Sequence, residues 1–260
     1  RVIAANRVVK PSNDEAAVAA IRRELTESVR TFLRVEEQYC RDTGSRPVAL
    51  EAAIGYVPEG GSPFDREQAV ELPLGTGGRT VRLRGRVDRI DRDGRENRDQ
   101  GYVIIDYKNG SSNRFKEGGV RDPLGVFNKG RMLQHGLYVM MVRHVAEAEG
   151  HETDRVNQFT YLFPGSKTLG ERLEWDAEEL ARVGEMVEKL CGIAAAGVFL
   201  PTTSTKDCGF CDFLEVCGEP AATVRDASRK LTGDTRTYGP AEKTLKDLFA
   251  GVREPAKPRA

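Results

Sequence analysis

The chain has 260 residues, of which 39% are hydrophobic and 31% charged, and its 40 basic residues balance 40 acidic ones. That length supports one large domain with a substantial core, and the composition excludes both a disordered tail and a membrane span, which needs roughly 20 consecutive apolar residues. The zero net charge decides nothing about a polyanionic partner, no signal peptide opens the chain, and it starts at Arg1 rather than Met, as in a chain trimmed from a longer one.

Ser12 and Glu15 form a capping-box signature. Val18, Ile21, Leu25, Val29 and Phe32 then recur at three- and four-residue spacing, which predicts a helix to about Tyr39, closed by Gly44 and Pro47. Residues 48–57 read as a strand, and residues 58–78 as a Gly- and Pro-rich loop holding a short strand over Val70–Leu74. From Val81 the period is two, with Val81, Leu83 and Val87 on one face and Arg82, Arg84, Arg86 and Asp88 on the other. A polar run over 92–100 leads to an apolar strand over 102–107, which stops at the turn signal Lys108, Asn109, Gly110. Two adjacent antiparallel strands joined by a charged loop are expected. Residues 111–129 read as irregular, 132–149 as a helix with Leu133, Leu137, Met141 and Val145 on one face, and 159–163 as a strand. Asp176 with Glu179 predicts a cap for a third helix carrying Leu180, Val183, Val187, Leu190 and Ala194. A loop opened by Pro201 holds three cysteines, and past Gly218 the tail is charged, with only residues 245–249 apolar enough to dock.

Asp106 and Lys108 are two residues apart at a strand end, so their side chains leave one face, and Asp88 ends the neighbouring strand. Two carboxylates with open positions between them suit Mg²⁺ or Mn²⁺, which keep waters and take phosphate oxygens. Lys108 then serves to orient a water or to offset developing negative charge. The plain alternative is a salt-bridged strand end, because Asp-x-Lys is a common tripeptide. Eight arginines fall between Arg79 and Arg98; they read equally as a phosphate-facing surface and as partners of Asp91, Asp93, Glu96 and Asp99.

The run GRVDRID from Gly85 to Asp91, followed by VIIDYK from Val103 to Lys108, resembles the core of the PD-(D/E)XK nuclease superfamily, and more closely its RecB-type branch. The run GRMLQHGLY, from Gly130 to Tyr138, is similar to the G…Q…Y helix of that branch, with Gln134 and Tyr138 on one helical stripe. The resemblance spans about residues 48–218. It implies a restriction-endonuclease-like α/β fold over residues 1–218, a central mixed sheet flanked by helices with a C-terminal cysteine-stapled segment, and a charged extension over 219–260. It assigns Asp88 and Asp106 as Mg²⁺ ligands and Lys108 as the catalytic lysine. Gln134 and Tyr138 would hold substrate, Tyr107 would offer its carbonyl as a further ligand, and Glu51 would match the strand glutamate ahead of the hairpin. The function implied is a cytoplasmic DNA exonuclease within a helicase–nuclease machine of double-strand-break repair, fed single-stranded ends by a helicase domain or subunit. A stand-alone CRISPR-associated RecB-like exonuclease and an inactive DNA-binding scaffold are the alternatives.

Five cysteines are an odd count, which argues against a disulfide framework. Cys208, Cys211 and Cys217 resemble the C-terminal part of the iron–sulfur staple of RecB-type nucleases, implying a 4Fe–4S cluster; thiolate chemistry equally admits zinc. In the family the fourth ligand precedes a helix bearing a metal-contacting histidine. No histidine lies between Cys40 and Asp88. The fourth ligand is therefore expected upstream of Arg1, with Cys40 as the alternative. Cys191 reads as core and His135 as a polar surface residue.

Overall fold

The computed structural model describes residues 15–58, 60–74, 79–96, 100–116, 125–148, 155–232 and 248–252. Ser12 of the expected cap lies outside them. Helix α1 covers Glu15–Thr43, four residues beyond the predicted end, and Gly44, with φ 65°, turns the chain out of it. Only the C-terminal half of its apolar stripe finds a partner. Phe32, Val35 and Tyr39 pack on the sheet, whereas Ile21, Leu25, Val29 and Leu33 are exposed.

Strand β1 (Arg46–Ile54) leads to β2 (Val70–Leu74), β3 (Arg79–Leu83), β4 (Gly85–Arg92) and β5 (Gly101–Tyr107). After helix α2 (Gln134–Ala148) come β6 (Arg155–Phe163) and β7 (Glu171–Asp176). Five of these strands form one sheet in the order β1-β4-β5-β6-β7, while β2 and β3 pair in a separate two-stranded sheet. The alternation expected across residues 81–88 is thus two strands. Extended pairing stops at Arg84, and Gly85 restarts it where a Cβ would stand 3.2 Å from both Met141 and Tyr138 of α2.

β4 runs antiparallel to β1 and to β5, β5 is parallel to β6, and β7 returns antiparallel. The parallel pair requires a crossover, which α2 supplies. The sheet is therefore mixed, as expected. β5 is buried along its whole length except Tyr107, consistent with its near-continuous apolar run. On one face Val103, Ile105 and Leu162 lie beneath Phe32, Val35 and Tyr39 of α1. On the other, His135 of α2 meets Phe159, Tyr161 and Trp175, with ring centroids 5.2–6.1 Å apart. The architecture is restriction-endonuclease-like, helix on both faces of a central sheet.

Strand β7 ends at Asp176, the residue expected to cap a helix. The Asp176 N–H donates to Glu179 Oε2 at 2.9 Å, half of a capping box. The Ala177 N–H, however, still donates to the Asn157 carbonyl of β6, so the ladder holds this segment. Turns follow, and helix α3 starts at Val183 and ends at Ala195.

The chain divides into two compact units, the sheet with α1 and α2 forming the first. The second contains α3, the cysteine loop and helix α4 (Pro220–Thr232). Within it, Met186 and Val187 of α3, Phe127, and Val224, Ala227 and Leu231 of α4 are buried. Residues 220–232, expected as charged extension, are therefore an amphipathic helix whose buried face is built from small and few apolar residues. Residues 245–247 lie outside the described residues, but Phe249 and Val252 are buried, in line with the docking expected of that segment. Among the described residues, no helix is long and apolar enough to cross a membrane.

Candidate active site

The last paired residues of β4 and β5 are Arg89 and Ile105. One step further, the same register sets Asp88 opposite Asp106 on a single face. There the backbone ladder gives way to a side chain, and the Tyr107 N–H donates to Asp88 Oδ2 at 2.9 Å. Lys108 follows the end of β5, but its N–H still donates to the Leu162 carbonyl at 2.9 Å, which fixes its Cα. Its Nζ lies 2.6 Å from Asp106 Oδ2, donates to Gln134 Oε1 at 2.8 Å, and sits 5.1 Å from the centroid of the Tyr161 ring.

Gln134 and Tyr138 complete a relay. Gln134 Nε2 donates to the Tyr138 hydroxyl at 3.0 Å, and that hydroxyl donates to the Arg86 carbonyl at 2.8 Å. The i, i+4 spacing on α2 thus ties the lysine to β4, the strand that carries Asp88. Burial, together with the charges of Asp106 and Asp88, pushes the Tyr138 phenol up, so it stays protonated and can donate.

Asp106 is 2% exposed. Burial pushes its carboxyl up to about 6, Lys108 pulls it down, and the Asp88 charge raises it again. Its Oδ2 is buried without a hydrogen bond of good geometry, despite the short ion pair to Lys108. The Lys108 ammonium already lies against this oxygen, and the nearby Asp88 charge still raises the carboxyl, so a divalent ion shared by the two carboxylates would relieve both burial and like-charge repulsion. Among the described residues no three His, Cys, Asp or Glu side chains converge on one point. The pair Asp88 and Asp106 by itself offers two carboxylates, a donor set that would suit Mg²⁺ completed by water and phosphate.

The remaining predicted residues are placed as follows. The Tyr107 side chain turns to the opposite sheet face, where its hydroxyl accepts from Arg89 Nη1 at 3.2 Å and its ring packs edge-on to Phe32. Glu51 is exposed on β1 at φ 52°, and β1 registers Leu50 with Arg89 and Ala52 with Val87, so Glu51 stands across from Asp88. With Arg86 it lines an open cavity of about 590 Å³. The arginine run is largely committed to the fold. Arg89 is buried and paired with Asp91 at 2.6 Å, Arg95 pairs with Asp93 at 2.7 Å, and Arg92 stacks on Tyr102. The pairing reading holds for Arg89 and Arg95, Arg92 meets an aromatic ring instead, and Arg98 lies outside the described residues. His135 is fully buried rather than a surface group, because the stripe that points Gln134 at Lys108 points its neighbour at the aromatic face of β6.

The cysteine loop belongs to the second unit. Cys208 is half-buried, while Cys211 and Cys217 are exposed, and all are free thiols. Slight burial, then charge on Cys211, Asp207 and Cys217, raises the Cys208 thiol, so the three sense one another. Among the described residues the three thiols do not make up a group that could by itself hold a metal ion. Cys40 and Cys191 are half-buried free thiols on α1 and α3. Asp207 accepts from Arg131 Nη2 at 2.6 Å and from the Thr202 hydroxyl, tying down the start of the loop.

Missed at the sequence level were Glu36 of α1, which meets Arg89 on the back of the sheet, and Arg172 of β7, which meets Glu36 there. The available signal was a carboxylate inside an apolar stripe, between Phe32, Val35 and Tyr39.

A family model described as the PD-(D/E)XK nuclease superfamily matches residues 2–218. The chain is 43% identical over 100 residues to an ATP-dependent helicase/deoxyribonuclease subunit of Symbiobacterium thermophilum, a match covering 37% of this chain and 7% of that protein. The crystal structure of SSO0001 aligns over 76% of this chain and 70% of its own, at 14% identity and a TM-score of 0.35, too distant to bear on the site.

Proposed function

This chain belongs to the PD-(D/E)XK nuclease superfamily, and from that premise we propose that it hydrolyses DNA phosphodiesters with Mg²⁺ or Mn²⁺, as the exonuclease part of a cytoplasmic helicase–nuclease machine in double-strand-break repair. The observation that carries the reading is the meeting of Asp88, midway along β4, with the buried Asp106 and Lys108 at the end of β5. The partial relative, itself named as a helicase and deoxyribonuclease subunit, supports DNA as substrate and a helicase as partner.

Asp88 and Asp106 would hold the ion, whose chemistry when bound is polarisation of phosphate oxygens and of water. The Tyr107 N–H occupies one Asp88 oxygen, leaving the other to aim into the site. Asp106 and Gln134 pin the Lys108 amine from two sides. Held there, it orients a water or offsets charge on the phosphate without first losing rotamer freedom. Arg86, on the Asp88 face and lining the cavity, supplies backbone electrostatics to a DNA end. Such contacts recognise phosphate rather than sequence and weaken with salt.

Cleavage of end-labelled single- and double-stranded DNA by the full chain in Mg²⁺ tests the reading. Asp106→Ala and Lys108→Ala should each lose about 100-fold or more; undiminished cleavage by either refutes it. For the three thiols of 208–217 we propose a 4Fe–4S cluster, with zinc the alternative, which requires the loop to close and a further ligand. Anaerobically purified protein should then show an iron–sulfur absorbance band. Stoichiometric zinc without iron would assign the other metal, and neither would remove the proposal.

A further inference from the structure

On the face of the sheet opposite the carboxylates lies a buried charged cluster that the reaction itself does not use. Arg89, 3% exposed, donates from Nε and Nη2 to both oxygens of Asp91 at 2.6 and 2.7 Å. Its Nη1 donates to Glu36 of α1 and to the Tyr107 hydroxyl. Glu36 accepts a second guanidinium, Arg172 of β7, at 3.1 Å, and Arg172 in turn stacks over Tyr39 at 3.7 Å. One helix carboxylate thus clamps guanidiniums from two strands of the sheet. Burying such charges is costly unless every group is paired, and the arrangement satisfies Arg89 almost completely.

The position of this cluster is its significance. Arg89 follows Asp88 directly on β4, and Tyr107 lies between Asp106 and Lys108 on β5. Tyr107 is gripped at both ends: its hydroxyl by Arg89, and its N–H by Asp88 Oδ2. A displaced Tyr107 would move the donor that orients Asp88 and the strand end that aims Asp106.

We propose that Glu36 and Arg89, acting through Tyr107, are positioning residues that set the separation and aim of the Asp88 and Asp106 carboxylates, and so the affinity of the chain for its divalent ion. The inference rests on the metal-nuclease reading and adds to it a role for helix α1. It differs from a mere stability role in what it moves. Groups behind the ligands of a metal change affinity by about 10- to 100-fold when lost, whereas loss of packing alone lowers the melting temperature and leaves the folded site's affinity intact.

The test is Mn²⁺ binding to the full chain, followed by electron paramagnetic resonance, alongside thermal melting in EDTA. Tyr107→Phe deletes only the hydroxyl that Arg89 grips and keeps the backbone donor, and Glu36→Gln keeps the shape while deleting the charge. Either variant, folded in EDTA, should bind Mn²⁺ about 10-fold more weakly, and saturating metal should restore most of the DNA cleavage rate. Arg89→Lys should not rescue, because an ammonium cannot reproduce the three-way fork. Affinities of both Tyr107→Phe and Glu36→Gln within about twofold of wild type overturn the proposal, whatever their melting temperatures. Should wild type itself bind no Mn²⁺ while Asp88→Asn behaves identically, the nuclease reading fails rather than the clamp alone.

Discussion

Replacing Asp106 by Asn should abolish cleavage and stabilise the metal-free protein. The carboxyl is carried from an ordinary 3.8 to about 6, chiefly by burial and also by the Asp88 charge. At about 1.4 kcal/mol per pH unit, that displacement costs the folded chain about 3 kcal/mol once the group is ionised in both states. The raised folded-state value sets the sign. Below about pH 4 the carboxyl is protonated whether folded or not, and the cost is absent. It grows as pH rises from about 4 to 6 and is complete above that. Asn carries the amide in the same space without ionising, so its advantage should follow the same curve. For a chain of this size, about 2 °C per kcal/mol gives a melting temperature roughly 6 °C above wild type at pH 8, shrinking to about 2 °C near pH 4.5. The assay is a pair of circular-dichroism melts at the two pH values in EDTA. An Asn variant melting at or below wild type at pH 8, or a gap independent of pH, would refute the idea that burial and like-charge repulsion strain this carboxylate.

On the proposed metal reading, a bound cation would relieve the same strain. Mg²⁺ at about 100 times its dissociation constant should raise wild-type stability by about 2.7 kcal/mol and leave Asp106→Asn unmoved, as a melt with and without the ion would show. Lys108→Ala should lose cleavage by about 100-fold yet keep Mn²⁺ binding, which calorimetry can separate from a folding defect. Gly94→Ala should cost about 3 kcal/mol in urea unfolding, because a Cβ there would stand well under 3.0 Å from the Gly44 backbone. Arg131→Ala should leave global melting within about 1 kcal/mol, the pair being partly exposed, while alkylation of Cys208 speeds up; unchanged alkylation would deny that Asp207 anchors the loop.

Much of the site was legible because its chemistry needs particular residue types at short spacing. An apolar run stopped by a turn predicts a buried strand, and period two puts Asp106 and Lys108 on one face whatever the rest of the chain does. Gln134 and Tyr138, one helical turn apart, were legible for the same reason. The break at Arg84 was not, because alternation continues across it, while in the fold the two halves join different sheets. β7 was hidden by a capping signature that is locally real but is outweighed by its ladder to β6. Helix α4 was hidden by the small size of its buried face.

The arginines mark the boundary most sharply. In the sequence, Arg86, Arg89, Arg92 and Arg95 are four similar charges on one segment. In the fold, one lines a cavity with Glu51, one is sealed against a glutamate 53 residues away, one stacks on an aromatic ring, and one pairs with its neighbour. Residue type and local period determined which groups can do chemistry here and on which face of a strand they lie, because those follow from covalent geometry. Which buried charge meets which partner was decided only by tertiary structure. The cost of burying an ion is offset by whichever opposite charge the fold brings within reach, and that choice is made across the whole chain.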